Sequence, residues 1–281
     1  MTANYIFVQT QLNFTRMDLE KYLTVWGLQP DGELLVTHSS HLLPVRFEGR
    51  PAMLKVAVEN DEKLGNEVMV WWNGNGAAHV LGHNEEALLM ERATGTGTLS
   101  GMSRAGDDDV AVQILCATAH RLHSINQPPP DGMIPMERWF RDLFQHGEKY
   151  GGVIAEGLRL ARRLVVEEVE KCVLHGDLHH DNVLDFGEKG WLAIDPKKLY
   201  GDRAFDYANI FCNPDQAIAG DAGIFRERLQ YISTTAAINR HRLLEWILAW
   251  AGLSAVWFLE DNMKADIDLA VGAMAMAELN S

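Results

Sequence analysis

Short apolar runs of strand length crowd the first ninety residues. Residues 34–37, 45–47 and 52–58 favour β structure, and Glu48-Gly49-Arg50-Pro51 between the last two has the glycine and proline of a hairpin turn. Over residues 61–72 the period changes: Leu64, Val68 and Trp71 recur at helical spacing, and Asn73-Gly74-Asn75-Gly76 closes the run. Two more strands are predicted at 78–81 and 87–90, followed by a polar linker, Thr94-Gly95-Thr96-Gly97-Thr98. Beyond it helical periodicity dominates, at 107–124, 137–146, 153–171, 225–237, 242–259 and 264–279. The one interruption is a predicted hairpin, 183–186 and 191–194, joined by Gly187-Glu188-Lys189-Gly190. The pattern predicts an α+β protein, with a small β-rich lobe over residues 1–93 and a larger helical lobe over 94–281.

Composition narrows the partners. The chain has 281 residues with a formal charge of −14, and 47% of them are hydrophobic, enough to bury a sizeable core. Nucleic acids are held largely by Lys and Arg on phosphate, and no concentrated basic patch is present, so a nucleic-acid partner is not expected. The surplus of carboxylates favours a cationic small molecule. Three widely spaced cysteines, Cys116, Cys172 and Cys212, fit neither a disulfide framework nor a thiolate zinc site and suggest a reducing compartment. The start, Met1 to Tyr5, lacks the features of a secretory signal. The apolar stretch 246–259 includes Gly252 and Ser254 and, at 14 residues, falls short of the about 20 needed to span a membrane. It is expected to be a buried core helix in a cytoplasmic protein.

The chemistry is concentrated just before the predicted hairpin, in His175-Gly176-Asp177-Leu178-His179-His180-Asp181-Asn182, with Ile194-Asp195-Pro196 thirteen residues after Asn182. Transfer of a phosphoryl group to a hydroxyl needs a carboxylate at the acceptor, and carboxylate and amide oxygens on Mg²⁺ to hold the triphosphate. Asp177, on a loop, suits the first role. Asn182 opens one strand and Asp195 closes the other, so an antiparallel hairpin sets them side by side as a metal pair. A zinc hydrolase is the rival reading of so many His and Asp residues, but it has no use for Asn182 or Asp195.

The run HGDLHHDN followed by WLAIDP resembles the catalytic and metal-binding signatures of the aminoglycoside phosphotransferase family, relatives of protein kinases. It is most similar to the streptomycin 6-phosphotransferase and hydroxyurea-resistance kinase branch, with a WWNG-like helix end and a late helix containing Arg242-Leu243-Leu244 and Leu253-Ser254-Ala255-Val256-Trp257. The resemblance spans residues 35 to 260. It implies a bilobal kinase-like fold and ATP-dependent phosphorylation of a small-molecule hydroxyl, such as one on streptomycin, with ATP and Mg²⁺ as cofactors and Asp177 as base or acceptor-orienting carboxylate. A metabolite kinase of the same fold, with an amino-sugar or choline-like acceptor, is the alternative. A catalytically silent kinase-like module is a third, although such modules usually lack a catalytic carboxylate.

The same resemblance assigns further residues. Lys55 lies in an otherwise apolar strand, and a buried ammonium needs a partner. In a kinase-like lobe it would touch the α- and β-phosphates and pair with a helix glutamate. Glu67, near the apolar stripe, is the expected partner, with Glu62 second. No glycine-rich flap is present, and Ser39 and Ser40 occupy the place where relatives offer hydroxyls and N–H groups to phosphate. Glu91 and Ala93 match the interlobe hinge, whose backbone would bind the base and leaves ATP and GTP both open. His120, His123, His175 and His179 are expected to support the catalytic loop, as is Asp206. Glu260, Asp261, Asp266 and Asp268 are candidates for attracting a cationic acceptor.

Overall fold

The computed structural model describes residues 19–167 and 169–281; the reading of Met1 to Tyr5 lies outside the described residues. Residues 19–25 are helical (α1) and set Leu19 and Tyr22 against one face of a sheet, where Leu43, Val45, Ala52, Leu54 and Leu89 complete a small core. The strands are β1 (Gln29–Pro30), β2 (Leu35–Val36), β3 (Ser40–Phe47), β4 (Arg50–Ala57), β5 (Val80–His83) and β6 (Ala87–Glu91). They pair antiparallel in the order β1-β3-β4-β6-β5, with β2 also on β3. Alternation along β6 sends Ala87 and Leu89 toward α1, and Leu88 and Met90 to the opposite face beside Val68, Met69 and Trp72 of α2 (Asn60–Trp72).

Strand β3 begins at Ser40, not at residue 45, although Pro44 interrupts it. On the far side from β4, β2 pairs with His41 and Leu42 while β1 pairs with Val45 and Arg46. Pro44 falls in the gap between them, where its missing N–H costs no ladder bond. Its carbonyl accepts from the N–H of Asp31 at 2.8 Å.

The second part of the chain holds α3 (Leu99–Ala105), α4 (Asp108–His123), β7 (Ile134–Pro135), α5 (Met136–Trp139), α6 (Arg141–His146) and α7 (Gly152–Leu164). There follow β8 (Lys171–Leu174), the hairpin β9 (Val183–Asp185) and β10 (Trp191–Ala193), β11 (Leu199–Asp202), α8 (Gln216–Ala219), α9 (Ala222–Thr235), α10 (Arg240–Glu260) and α11 (Asp266–Leu279). The helix expected over 153–171 ends at Leu164, because Lys171–Leu174 pairs antiparallel with β11. That long-range pairing overrides a locally helical pattern.

Helix α10 has 21 residues and passes the length and composition of a membrane span, so the expected shortness was wrong. Burial supports the core reading, since every residue from Leu243 to Val256 is buried, as an all-round apolar helix requires. It packs against α7 at close range: a Cβ on Gly157 would lie 2.6 Å from the Leu248 carbonyl oxygen. Two backbone bonds tie the α2–β5 connection to the hairpin, from Ala78 N–H to the Ala193 carbonyl at 2.9 Å and from Ala193 N–H to the Gly76 carbonyl at 3.0 Å. The Thr94 to Thr98 linker is also fastened, its Gly95 N–H donating to the Asp185 carbonyl at 2.9 Å.

Candidate active site

The loop between β8 and β9 is shaped from below by Asp206, which is 1% exposed. Its carboxylate accepts from the N–H groups of His175 and Gly176 at 2.8 and 2.7 Å, and His123 Nε2 lies 2.7 Å away. Burial would raise the Asp206 pKa, but His123 and the other partners outweigh it and hold the carboxyl below its usual range. The expected support by His123 and Asp206 is therefore visible, whereas His120 is exposed and takes no part.

His175 is fully buried, and burial pushes its pKa down to about 4. The neutral ring carries its proton on Nε2, because that atom faces the Ile194 carbonyl at 2.9 Å while Nδ1 accepts from the Asp177 N–H at 3.3 Å. One imidazole thus clamps the loop to the end of the hairpin. The other motif residues turn apart. His180 lies beside Arg228, which is paired with Asp108, and Asp181 accepts from Ser100 Oγ. Among the described residues no cluster of three or more His, Cys, Asp or Glu side chains is arranged to hold a metal. Asp108, in the first turn of α4, is half of this ion pair with the buried Arg228.

Asp177 is held at the tip of the loop. Asn182 Nδ2 donates to its carbonyl at 2.9 Å and lies 3.4 Å from its Oδ2. Burial raises the Asp177 pKa, with His179 and Lys197 acting the other way. Asn182 and Asp195 are neighbours as the hairpin required, since the Ile194 N–H donates to the Asn182 carbonyl at 2.9 Å. Asp195 adopts a left-handed backbone, φ 62°, unusual for a non-glycine residue. Burial opposes its ionisation, but Lys55 and Lys197 prevail and hold its pKa at about 2. Asn182 Oδ1 makes no hydrogen bond among the described residues, so the pair offers an amide oxygen and an ionised carboxylate. Such hard oxygen donors suit Mg²⁺, which usually takes only one or two protein ligands besides phosphates and water.

Lys55, in the middle of β4 and 5% exposed, contacts both Asp195 and Glu62. Glu67, the expected partner, is corrected: it pairs with Lys198 at 2.6 Å on a more exposed face. The two glutamates lie about 140° apart around a helix. The buried face of α2 is Glu62, Gly65, Asn66, Val68, Met69 and Trp72; of the Leu64, Val68 and Trp71 stripe that periodicity suggested, only Val68 is fully buried. Gly65 explains why. A Cβ there would sit 2.1 Å from the Pro196 carbonyl oxygen, so the helix docks on the Asp195-Pro196 turn through its glycine. Glu62 also accepts from Lys197 Nζ at 2.7 Å and Ser40 Oγ at 3.5 Å. Lys197 is disfavoured by burial, and the surrounding Glu62, Asp177 and Asp195 carboxylates overcome this and raise its pKa.

Ser40 does not face outward. Its hydroxyl turns to Glu62 and its N–H to Thr37 Oγ1 at 3.0 Å. Ser39 keeps its N–H and hydroxyl without hydrogen bonds among the described residues, so it is the member of the pair that could meet phosphate. At the hinge the Glu91 N–H is taken by the His79 carbonyl at 2.9 Å and its carboxylate by Lys189 and the His79 N–H. The Ala93 N–H makes no such bond among the described residues. The acidic group near the C-terminus is dispersed: Glu260 engages Tyr150 at 2.6 Å and Lys149 at 2.5 Å, while Asp268 is buried. Burial raises the pKa of Asp268, opposed by hydrogen bonds from Ser254 and Cys212. Asn209 and Lys197 escaped the sequence reading. A polar residue inside the apolar run 204–211 was the available signal for the first.

The chain matches the family model for aminoglycoside/hydroxyurea antibiotic resistance kinases over residues 25–262. It is 49% identical over 259 residues to the streptomycin 3''-kinase of Klebsiella pneumoniae, covering 89% of this chain and 97% of that protein. With the streptomycin 6-kinase of Streptomyces griseus it shares 31% identity over 278 residues, 90% of this chain and 85% of the other. A thermostable mutant of aminoglycoside phosphotransferase APH(4)-Ia, solved with ADP and hygromycin B, has the same fold, with TM-score 0.64 at 15% identity over 93% of this chain and 97% of that one. Sequence and bilobal α+β architecture agree, and the chain belongs to the aminoglycoside/hydroxyurea antibiotic resistance kinase family.

Proposed function

We propose that this kinase transfers the γ-phosphoryl group of ATP to a hydroxyl of a streptomycin-like aminoglycoside, and that it works in the cytoplasm, where ATP is available. The observation that carries the reading is the convergence of Lys55 and Glu62 on Asp195, with Asn182 and Asp177 beside it at the hairpin. Lys55, pinned by Glu62, grips the nucleotide phosphates, and Ser39 covers them. Ala93 and Glu91 line the base. Asn182 and Asp195 would hold Mg²⁺, which when bound neutralises charge on the β- and γ-phosphates. Asp177 accepts the proton of the acceptor hydroxyl as the new P–O bond forms, and the burial that raises its pKa makes it the more basic for that task. The charge of −14 suits an acceptor bearing guanidinium and amine groups.

The test is turnover with Mg·ATP against a panel of aminoglycosides, aminocyclitols and small hydroxylated amines, read as ADP formed. NMR of the product locates the phosphate, at position 3'' or 6 of streptomycin as the two relatives' names pose the choice. Turnover of streptomycin supports the proposal. Turnover of choline-like or amino-sugar acceptors alone replaces it with a metabolite kinase.

A further inference from the structure

Asp177 does not orient its carboxylate by itself. Its Oδ1 accepts from Asn209 Nδ2 at 2.8 Å, and Asn209 lies outside the motif, in a turn that spans Asn209–Cys212. A side-chain amide can meet a carboxylate favourably only through its nitrogen, yet its two ends are nearly identical in shape. The indole N–H of Trp250 breaks that symmetry, because it can only donate and it faces Asn209 Oδ1 at 3.1 Å. Asn213 Nδ2 donates to the same oxygen at 3.0 Å and to the Asn209 carbonyl at 2.9 Å.

Rotation of the Asn209 amide would strand a buried indole N–H and turn Oδ1 against the Asp177 carboxylate, which is costly for groups as buried as Asn209 and Trp250. Trp250 cannot follow. It is 5% exposed in α10 and wedged against Phe205 and Trp257, with ring centroids 5.6 and 5.8 Å apart. The other groups around Asp177 do not fix its rotamer as tightly: His179 Nε2 is 3.9 Å from Oδ1, and Asn182 Nδ2 makes only a 3.4 Å approach to Oδ2.

We infer that Asn209, locked by Trp250 and Asn213, is a positioning residue that occupies Oδ1 of Asp177 and leaves Oδ2 to receive the acceptor hydroxyl. The inference rests on the catalytic role proposed for Asp177. It makes the C-terminal core helix α10 part of the catalytic apparatus, through a single indole N–H.

The test measures kcat and both KM values for Asn209→Ala, Trp250→Phe and the double variant, each also in an Asp177→Asn background. Losing a hydrogen bond to a charged group predicts a fall in kcat of about 10–100-fold for Asn209→Ala, and losing the neutral lock about 2–10-fold for Trp250→Phe. The KM for Mg·ATP should stay within about twofold in both, as positioning of the acceptor base requires. The double variant should be no slower than Asn209→Ala, since Trp250 acts through Asn209. In the Asp177→Asn background neither change should lower turnover further. Wild-type kcat in Asn209→Ala, or fully additive losses, overturns the inference. Should Asn209→Ala not fold, Trp250→Phe decides alone: an unchanged kcat overturns it. Substantial turnover by Asp177→Asn overturns the catalytic reading itself, a separate and distinguishable failure.

Discussion

Lys55 of the sheet and Asp195 of the hairpin, 140 positions apart in sequence, are ion-paired in the folded chain. The contact joins the two lobes at the point where the phosphates are proposed to lie. Glu62 completes the arrangement by accepting from both Lys55 and Lys197, so that with Asp195 two carboxylates face two cations.

That geometry distinguishes the two glutamates of α2. Glu62→Gln is expected to lower kcat/KM for Mg·ATP by about tenfold or more, since it weakens a charge-assisted contact to Lys55. Glu67→Gln, at a more exposed position where the one ion pair among the described residues is with Lys198, should cost less than about threefold. Steady-state kinetics of the pair decides, and the reverse order would restore Glu67 as the partner of Lys55.

Asp177→Asn should reduce kcat by about 10²–10⁴-fold, the usual contribution of a proton-accepting or orienting group. Nucleotide binding by calorimetry should be almost unchanged. A variant that keeps more than half of the wild-type turnover would remove Asp177 from the reaction.

Asp195→Ala should weaken Mg²⁺-dependent nucleotide binding, because a hard cation loses its carboxylate. EDTA should abolish activity in the wild-type protein and Mg²⁺ should restore it. Titrations of Mg·ATP indistinguishable from wild type would make Asp195 purely structural, and recovery with Zn²⁺ alone would revive the hydrolase reading.

His175 and His180 are buried, and burial lowers their pKa values to about 4 and about 3, below the ordinary 6.5. Between about pH 6.5 and 4 the unfolded chain binds protons that the folded chain does not. Stability is therefore fully present above 6.5 and declines as the pH falls, by roughly 3 kcal/mol for His175 alone. The urea midpoint should drop between pH 7 and pH 5, and His180→Gln should flatten the drop. Equal midpoints at the two pH values would contradict buried neutral histidines.

The residues that carry the proposed chemistry were legible because they are close in sequence. An eight-residue loop, a tight turn and a returning strand define one another by short-range geometry, so Asp177, Asn182 and Asp195 could be placed with no knowledge of the rest. The change from short strands to helices was equally open, as was the core position of α10, because period and composition reflect burial directly. Which face of α2 turns inward was not. Periodicity favoured Leu64, Val68 and Trp71, of which only Val68 is fully buried, whereas Gly65 lets the helix close on Pro196 and carries Glu62 to Lys55 instead of Glu67. The lock on Asp177 joins residues from the catalytic loop, a turn and α10, and the inward turn of Ser40 depends on the same docking of α2. Local sequence determines what a segment can form. Only the packing of distant segments decides which of its polar groups are brought together, because a buried charge or amide takes the partner that the surrounding contacts deliver.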